Sequence, residues 1–374
     1  MAKKILIVTK DKMEFQMYDP VARGLESHGY EVIVVAEGLS MEMWVKSGRR
    51  ILGGLPKEGD FDPNTKVRTD IGSHEALSLL KPDIVMTGLG HPIHLGEKFG
   101  LAANSARTKL GYVEDLWGVH NRSMAMPQFV CATDDYGMKQ IRGCTRYTNA
   151  LLGDEYDHLY QNRSPKVYVT GSPAMDALQR VVPDPETKLI IGRNYTNSRV
   201  ILIGGQDEST TPLIQGLVEA SRKHEGWLII PRFHPKWVSD PSKTAIRDEW
   251  ITCLYQMERS HRVLWTPPSI DMRSLMLLAD EVISIYSNCL IEAVALGAVP
   301  ISWTSDIGRQ KMEEGLGVTT FPSVTLGAAR EVRTPEEYLS LGSFSFGREQ
   351  AREKLGLDGH ATKRVVGAIM QELG

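Results

Sequence analysis

Short apolar runs recur along this chain, each followed by a polar or glycine-containing turn and then by a stretch with helical spacing. In the first half the runs are Lys4–Thr9, Glu31–Val35, Asp83–Met86, Thr108–Val113, Gln128–Cys131 and Lys166–Thr170. They are continuous rather than alternating, the pattern of strands covered on both faces of a parallel sheet. Helices are predicted from Asp19-Pro20 through His28, over Gly72–Leu80, and from Asp134-Asp135 to about Gly143. Residues 37–70 are less regular and read as loops with short helices. Val182-Pro183-Asp184-Pro185-Glu186 reads as a linker. The pattern then restarts with strands at Val200–Ile203, Trp227–Ile230, Val263–Trp265, Val282–Ile285 and Val299–Trp303. The expected fold class is α/β, with two Rossmann-like domains facing across a cleft. The expected boundaries are 1–182, 183–345 and a helical tail 346–374. The tail's last helix, His360 to Leu373, places Val365, Val366, Ile369 and Met370 on one face and is compatible with packing on the first domain.

Composition narrows the function classes. A chain of 374 residues exceeds the usual single core. The hydrophobic fraction of 42% and charged fraction of 24% are those of a globular protein, and a net charge of -3 offers no basic field for nucleic acid. No apolar run reaches membrane-spanning length. The opening MAKKILIVT reads as a first strand, not a signal peptide. Cys131, Cys144, Cys253 and Cys289 are scattered without a C-x-x-C pair, which suits reduced thiols in a cytoplasmic protein. Peripheral contact with the cytoplasmic face of a membrane stays compatible with this.

The most informative stretch is ADEVISIYSNCLIEAVALGAVPISW, Ala279 to Trp303. It reads as strand, tight turn, helix, turn and strand. Ser287 or Asn288 can cap the helix, whose N-terminus suits a phosphate because its N–H groups and dipole point there. Glu292 lies one turn past Asn288 on the same face, where a carboxylate suits sugar hydroxyls. His234-Pro235, preceded by Arg232, follows a strand in the same half; an imidazole there could stabilise charge on a leaving phosphate, with Arg232 or Lys236 adding positive charge. Gly204-Gly205-Gln206-Asp207 forms another strand-end loop, suited to contact through backbone N–H groups. In the first half, Glu114-Asp115 follows a strand, and either carboxylate could act as a general base. Thr87-Gly88-Leu89-Gly90-His91-Pro92 is a further strand-end loop. His91 and His94 lack a third neighbouring ligand, and Asp134-Asp135 reads as a helix start, so no metal site is expected. Trp265, before Thr266-Pro267, could flank a nucleotide base.

Three segments carry a resemblance to the GT-B superfamily of nucleotide-sugar glycosyltransferases and UDP-GlcNAc 2-epimerases: VTGSPAMDAL (Val169 to Leu178), FHP (Phe233 to Pro235) and SNCLIEAVALGAVPI (Ser287 to Ile301). The resemblance implies a metal-independent enzyme with no cofactor. It places Ser287 and Asn288 near a diphosphate, Glu292 on ribose, and His234 at the departing phosphate. The acidic pair before Gly118 is similar to that of bacterial sialyltransferases, with Leu116-Trp117 inserted. GYVEDLWGVHNRS is similar to the 2-epimerases: Glu114 falls on a family carboxylate, and Asn121-Arg122 on the end of P-E-E-x-N-R. The epimerase G-T-R-P-E is replaced by Thr9-Lys10-Asp11-Lys12-Met13-Glu14, and its G-D-T loop by Thr87-Gly88-Leu89-Gly90. The expected activity is therefore sugar transfer from a UDP- or CMP-linked donor to a glycan or lipid-linked hydroxyl acceptor. A UDP-N-acetylglucosamine 2-epimerase-like isomerase or hydrolase is the alternative, and a non-catalytic nucleotide-sugar-binding module is a third.

Overall fold

The computed structural model of the protein describes residues 2–53, 72–88, 95–115, 117, 123, 125–144, 165–194, 199–206, 208–234, 240–257, 262–341 and 347–374. The chain forms two compact units, residues 1–176 with 356–374, and residues 177–355. These units divide at 176/177 and 355/356, beside the 182/183 and 345/346 expected from the sequence. The stretch expected as a linker opens a helix. Pro185–Asn194 is a helix, and the Asp184 carboxylate accepts from Thr187 N–H at 2.8 Å. Asp184 N–H in turn donates to Ser274 Oγ at 3.3 Å, which ties this segment to the second unit.

The first unit holds a seven-stranded sheet. Its strands are β1 (Lys4–Thr9), β2 (Glu31–Ala36), β3 (Leu52–Gly53), β4 (Ile84–Thr87), β5 (Lys109–Val113), β6 (Phe129–Ala132) and β7 (Lys166–Val169), in the order β3-β2-β1-β4-β5-β6-β7. Every pairing is parallel. Side chains of β1 alternate between two cores. Leu6 and Val8 pack with Phe99, Ala103 and Ile141, whereas Ile5 and Ile7 pack with Met17, Val21, Leu25, Val365 and Ile369. The helix after β1 runs from Lys12 to Ser27, eight residues earlier than Asp19-Pro20 suggests. Its start is an Asp-x-x-Glu capping box: Asp11 accepts from Glu14 N–H at 2.9 Å, and Glu14 accepts from Asp11 N–H at 3.2 Å. Pro20 is thus inside the helix.

The tail helix Ala361–Leu373 belongs to this first unit. Gly24 allows close approach, since a Cβ there would lie 2.8 Å from Val366 Cγ2. The Glu372 carboxylate binds Lys109 and Lys166, each at 3.1 Å, and accepts from Tyr168 Oη at 2.7 Å. At the other end of the helix, Asp176 accepts from Ala361 and Thr362 N–H at 3.1 and 2.7 Å.

The second unit repeats the plan with β8 (Arg199–Gly204), β9 (Trp227–Arg232), β10 (Arg262–Val263), β11 (Glu281–Ser284), β12 (Val299–Trp303) and β13 (Arg330–Val332). The order is β10-β9-β8-β11-β12-β13, again all parallel. Ile201, Ile203, Ile229, Ile283, Ile301 and Trp303 fill one face against Leu213, Leu217 and Trp250.

Arg364 donates to both oxygens of Asp358, at 2.6 and 2.9 Å, and its Nε donates to Thr170 O at 2.7 Å. The guanidinium holds the Asp358 carboxyl down from 3.8 to about 2. A carboxyl depressed on folding adds stability above its unfolded value and loses it as pH falls through the folded one. Thermal melts between pH 4 and pH 2 are therefore expected to fall less steeply for Asp358→Asn than for the wild-type chain.

Candidate functional site

In an open parallel sheet, ligands sit beyond the carboxyl ends of the strands where the winding direction reverses. In the second unit that reversal lies between β8 and β11. Gly204-Gly205-Gln206 ends one of these strands and Ile285-Tyr286-Ser287 the other. The Gln206 amide spans the reversal: Nε2 donates to Tyr286 O, and Tyr286 N–H donates to Oε1, both at 3.0 Å. On the far side, Ser302 Oγ donates to Ile285 O at 2.6 Å. The turn is thus held from both neighbouring strands.

From this turn the helix Asn288–Leu296 departs. Ser287 is its N-cap, in extended conformation, and its hydroxyl accepts from Cys289 N–H at 3.3 Å. Gly297 ends the helix with φ of 101°, a left-handed conformation suited to glycine. Gly204 sets how close the helix comes, because a Cβ there would lie 2.7 Å from Cys289 Sγ. Gly205 is equally confined, by Trp250 at 2.4 Å, and its N–H donates to Arg232 O at 2.9 Å. The two glycines therefore act here through close packing; the Gly205 N–H is already engaged within the protein. Burial pushes the Cys289 thiol up to about 11, so it stays protonated at neutral pH.

Glu292 lies one turn into the helix, as its spacing implies. Its Oε1 accepts from Arg273 Nη2 at 2.7 Å and Nε at 3.2 Å, and both side chains are largely buried. Arg273 is the partner that sequence reasoning missed. Among the described residues, Asn288 Oδ1 is buried without a hydrogen-bond partner.

Arg232 is placed differently from a free phosphate ligand. Its Nη1 donates to Thr266 Oγ1 at 2.8 Å and Pro267 O at 2.9 Å, and its Nη2 to Ile270 O at 2.9 Å. It braces the loop after β10. Burial lowers its pKa, opposed by the Asp271 charge. Two residues on, His234 is half-buried at the carboxyl end of β9. Phe233 between them stacks on Trp250 at 5.1 Å and on Trp265 at 5.6 Å, making Trp265 the outer ring of three. Pro235, Lys236 and Asp207 lie outside the described residues, as do Leu89 to His94, Leu116, Gly118, Asn121 and Arg122.

In the first unit, Glu114 and Asp115 follow β5. Glu114 is fully buried, with its N–H donated to Cys131 O at 3.0 Å, and Asp115 is half-buried. Trp117 is anchored beside them, its indole N–H donating to both Asp134 oxygens at 3.0 and 2.8 Å. Asp134 also accepts from Gly137 N–H at 2.8 Å as the cap of helix Asp135–Arg142. Burial raises the Asp134 pKa, partly offset by those hydrogen bonds. This double duty was not visible in the sequence. At the reversal of the first sheet, between β1 and β4, the Glu14 carboxylate takes N–H bonds from Lys10 at 2.5 Å and Asp11 at 3.2 Å. Among the described residues no group of three or more His, Cys, Asp or Glu side chains could hold a metal ion, and no helix is long and apolar enough to cross a membrane.

Known proteins place this architecture. A Thermotoga maritima protein assigned as a UDP-N-acetylglucosamine 2-epimerase is 24% identical over 319 residues, covering 81% of this chain and 77% of the relative. The crystal structure of UDP-GlcNAc 2-epimerase from Neisseria meningitidis bound to UDP-GlcNAc matches with a TM-score of 0.62 and 17% identity, over 98% of this chain and all of that one. A glycosyltransferase from Rickettsia africae matches with a TM-score of 0.61 and 13% identity, over 100% and 98%. This is the GT-B fold. No family model matches the chain. Within the GT-B plan, the Ser287 turn, Glu292 and His234 all belong to the second unit, and Glu114 and Asp115 to the first.

Gly204→Ala is expected to cost about 1–3 kcal/mol through overpacking on Cys289. Adding Cys289→Ala removes the obstructing sulfur and should restore most of that loss, as read by urea denaturation of the single and double variants.

Proposed function

We propose that this chain is a UDP-sugar enzyme of the UDP-N-acetylglucosamine 2-epimerase-like kind, an isomerase or hydrolase. The observation that carries the reading is the capped helix N-terminus at Ser287, pinned across the reversal of the second sheet, with Glu292 one turn further along. A diphosphate is the ligand whose charge matches that helix end. Glu292 Oε1 is held by Arg273, leaving Oε2 to accept from ribose hydroxyls. His234, at the end of β9, is suited to steady the charge on the phosphate when the sugar leaves. In the first unit, buried Glu114 is suited to proton transfer at the sugar. The Thermotoga relative and the Neisseria structure favour an isomerase over the transferase that motif spacing puts first.

Sugar transfer is retained as a second reading because of Glu14. Its carboxylate is engaged as a cap on its own helix, which leaves one acid–base group fewer for elimination and re-addition at C2. The likeness to the Rickettsia glycosyltransferase supports the same reading. In this case Asp115 or Glu114 takes the proton of an acceptor hydroxyl, and the nucleotide departs with its charge met by His234 and the Ser287 helix.

Incubation with UDP-N-acetylglucosamine in deuterated water distinguishes these. Deuterium at C2, followed by proton NMR, is the expected result. No exchange, with UDP released only when a hydroxyl acceptor is added, would replace the isomerase by the transferase. Tight UDP binding without turnover, unaffected by Asp115→Asn, would leave a binding module. In calorimetry, Glu292→Gln is expected to weaken UDP about tenfold while leaving 2′,3′-dideoxy-UDP nearly unchanged, since only the ribose hydroxyls address that carboxylate.

A further inference from the structure

Glu292 is a largely buried carboxylate with one oxygen met. Arg273 brings two N–H groups to it, Nη2 at 2.7 Å and Nε at 3.2 Å, and both converge on Oε1. A carboxylate oxygen offers about two lone-pair sites, so Oε1 is filled. No described residue donates to Oε2. The Arg273 and Glu292 side chains keep 19% and 12% of their surface exposed, so the pair is not sealed from solvent. An ion pair that served packing alone would gain more by forking, one N–H to each oxygen. Burying a charge is costly unless its remaining lone pairs are met as well. Oε2 is thus the oxygen kept for a ligand.

Both partners are firmly mounted within the second unit. The helix of Arg273, Met272–Met276, starts at Asp271, whose carboxylate accepts from Ser274 N–H at 3.2 Å. Leu275 and Met276 are fully buried. Just before this helix, the Ile270 carbonyl accepts from Arg232 Nη2 at 2.9 Å. The helix of Glu292 is held at its far end too, where Arg352 Nη1 donates to Ala295 O at 2.7 Å. The open oxygen discriminates by chemistry. An ion-paired carboxylate only accepts, so its ligand must donate. A phosphate oxygen would be repelled by Glu292, and an ammonium by the neighbouring guanidinium. A neutral hydroxyl meets neither objection.

We propose that Arg273 is a positioning residue for nucleotide recognition: by occupying Oε1 it turns Oε2 of Glu292 toward the ribose hydroxyls. The proposal rests on the UDP-sugar reading above and names the residue that gives that site its preference for a ribose with its hydroxyls in place.

The test uses Arg273→Met, Arg273→Lys, Glu292→Gln and the Arg273→Met/Glu292→Gln double variant, each titrated by calorimetry with UDP and with 2′,3′-dideoxy-UDP. The ratio of the two affinities is the readout, because any general loosening of the fold weakens both nucleotides alike. The wild-type chain should prefer UDP about tenfold, and Arg273→Met and Arg273→Lys should fall to about twofold, since lysine keeps the charge but cannot fork onto one oxygen. The double variant should bind UDP within about twofold of Glu292→Gln, because Arg273 acts through Glu292. Arg273→Lys carries the test should Arg273→Met melt below the assay temperature. A tenfold preference kept in either Arg273 variant would overturn the proposal and leave a structural ion pair. A further tenfold loss of UDP affinity in the double variant would overturn it by showing direct contact between Arg273 and the ligand. A wild-type chain that binds both nucleotides equally, or a Glu292→Gln chain that keeps the preference, would remove the ribose reading beneath the proposal, an outcome distinct from the other two.

Discussion

Two hydrogen bonds between the Gln206 amide and the Tyr286 backbone hold the turn at the end of β11 in place. They join the ends of β8 and β11, the neighbours at which the sheet reverses its winding. From the other side Ser302 Oγ holds the same turn through Ile285 O. Everything placed by the following helix depends on that turn: the Ser287 cap, the carboxylate of Glu292, and Arg273, which reaches Glu292 from the adjoining helix. Small residues tighten the arrangement. Gly204 admits Cys289, and Gly308 admits Ile285, whose methyl carbon would lie 2.8 Å from a Cβ at that position. A dipole end can recognise an anion only if it stays still, because each ångström of wandering would let water replace the N–H contacts.

The first unit solves a related problem with a carboxylate instead of an amide. Asp134 is at once a helix cap and the acceptor for Trp117. It thereby fixes the chain just beyond Glu114 and Asp115 from a neighbouring strand end. Burial raises its pKa, but the donors gathered around it favour the charged form. Trp117, two residues past Asp115, thus supplies the indole that Asp134 grips.

Much of the fold was legible because parallel strands announce themselves as unbroken apolar runs. The segments around Val8, Val34, Val85, Tyr112, Ile203, Ile229 and Ile301 all lie in strands where the pattern put them. Helix starts were harder. Pro20 suggested an N-terminus, but the Asp11–Glu14 capping box eight residues earlier decides it. The proline-rich Val182–Glu186 resembled a linker, yet Asp184 and Pro185 open a helix. At the candidate site, Ser287, Glu292 and His234 could be read from spacing within single segments. Arg273 and Gln206 could not, because their partners lie 19 and 80 residues away and only the folded chain brings them near. Arg232 shows the converse. A cation at a strand end looked like a ligand group alone, but its guanidinium also braces Thr266, Pro267 and Ile270.

The composition of the first unit, residues 1–176 together with 356–374, bears on how the chain is made. One face of its sheet has Ile5, Ile7 and Met17 packed against Val365 and Ile369. During synthesis from the amino terminus, those partners leave the ribosome after the whole of the second unit, which comes from one uninterrupted stretch. The later half of the protein can therefore reach its native packing first, while the earlier half waits with an apolar face uncovered. The face of the first sheet that Val365 and Ile369 cover is thus the last to gain its partners as the chain is made.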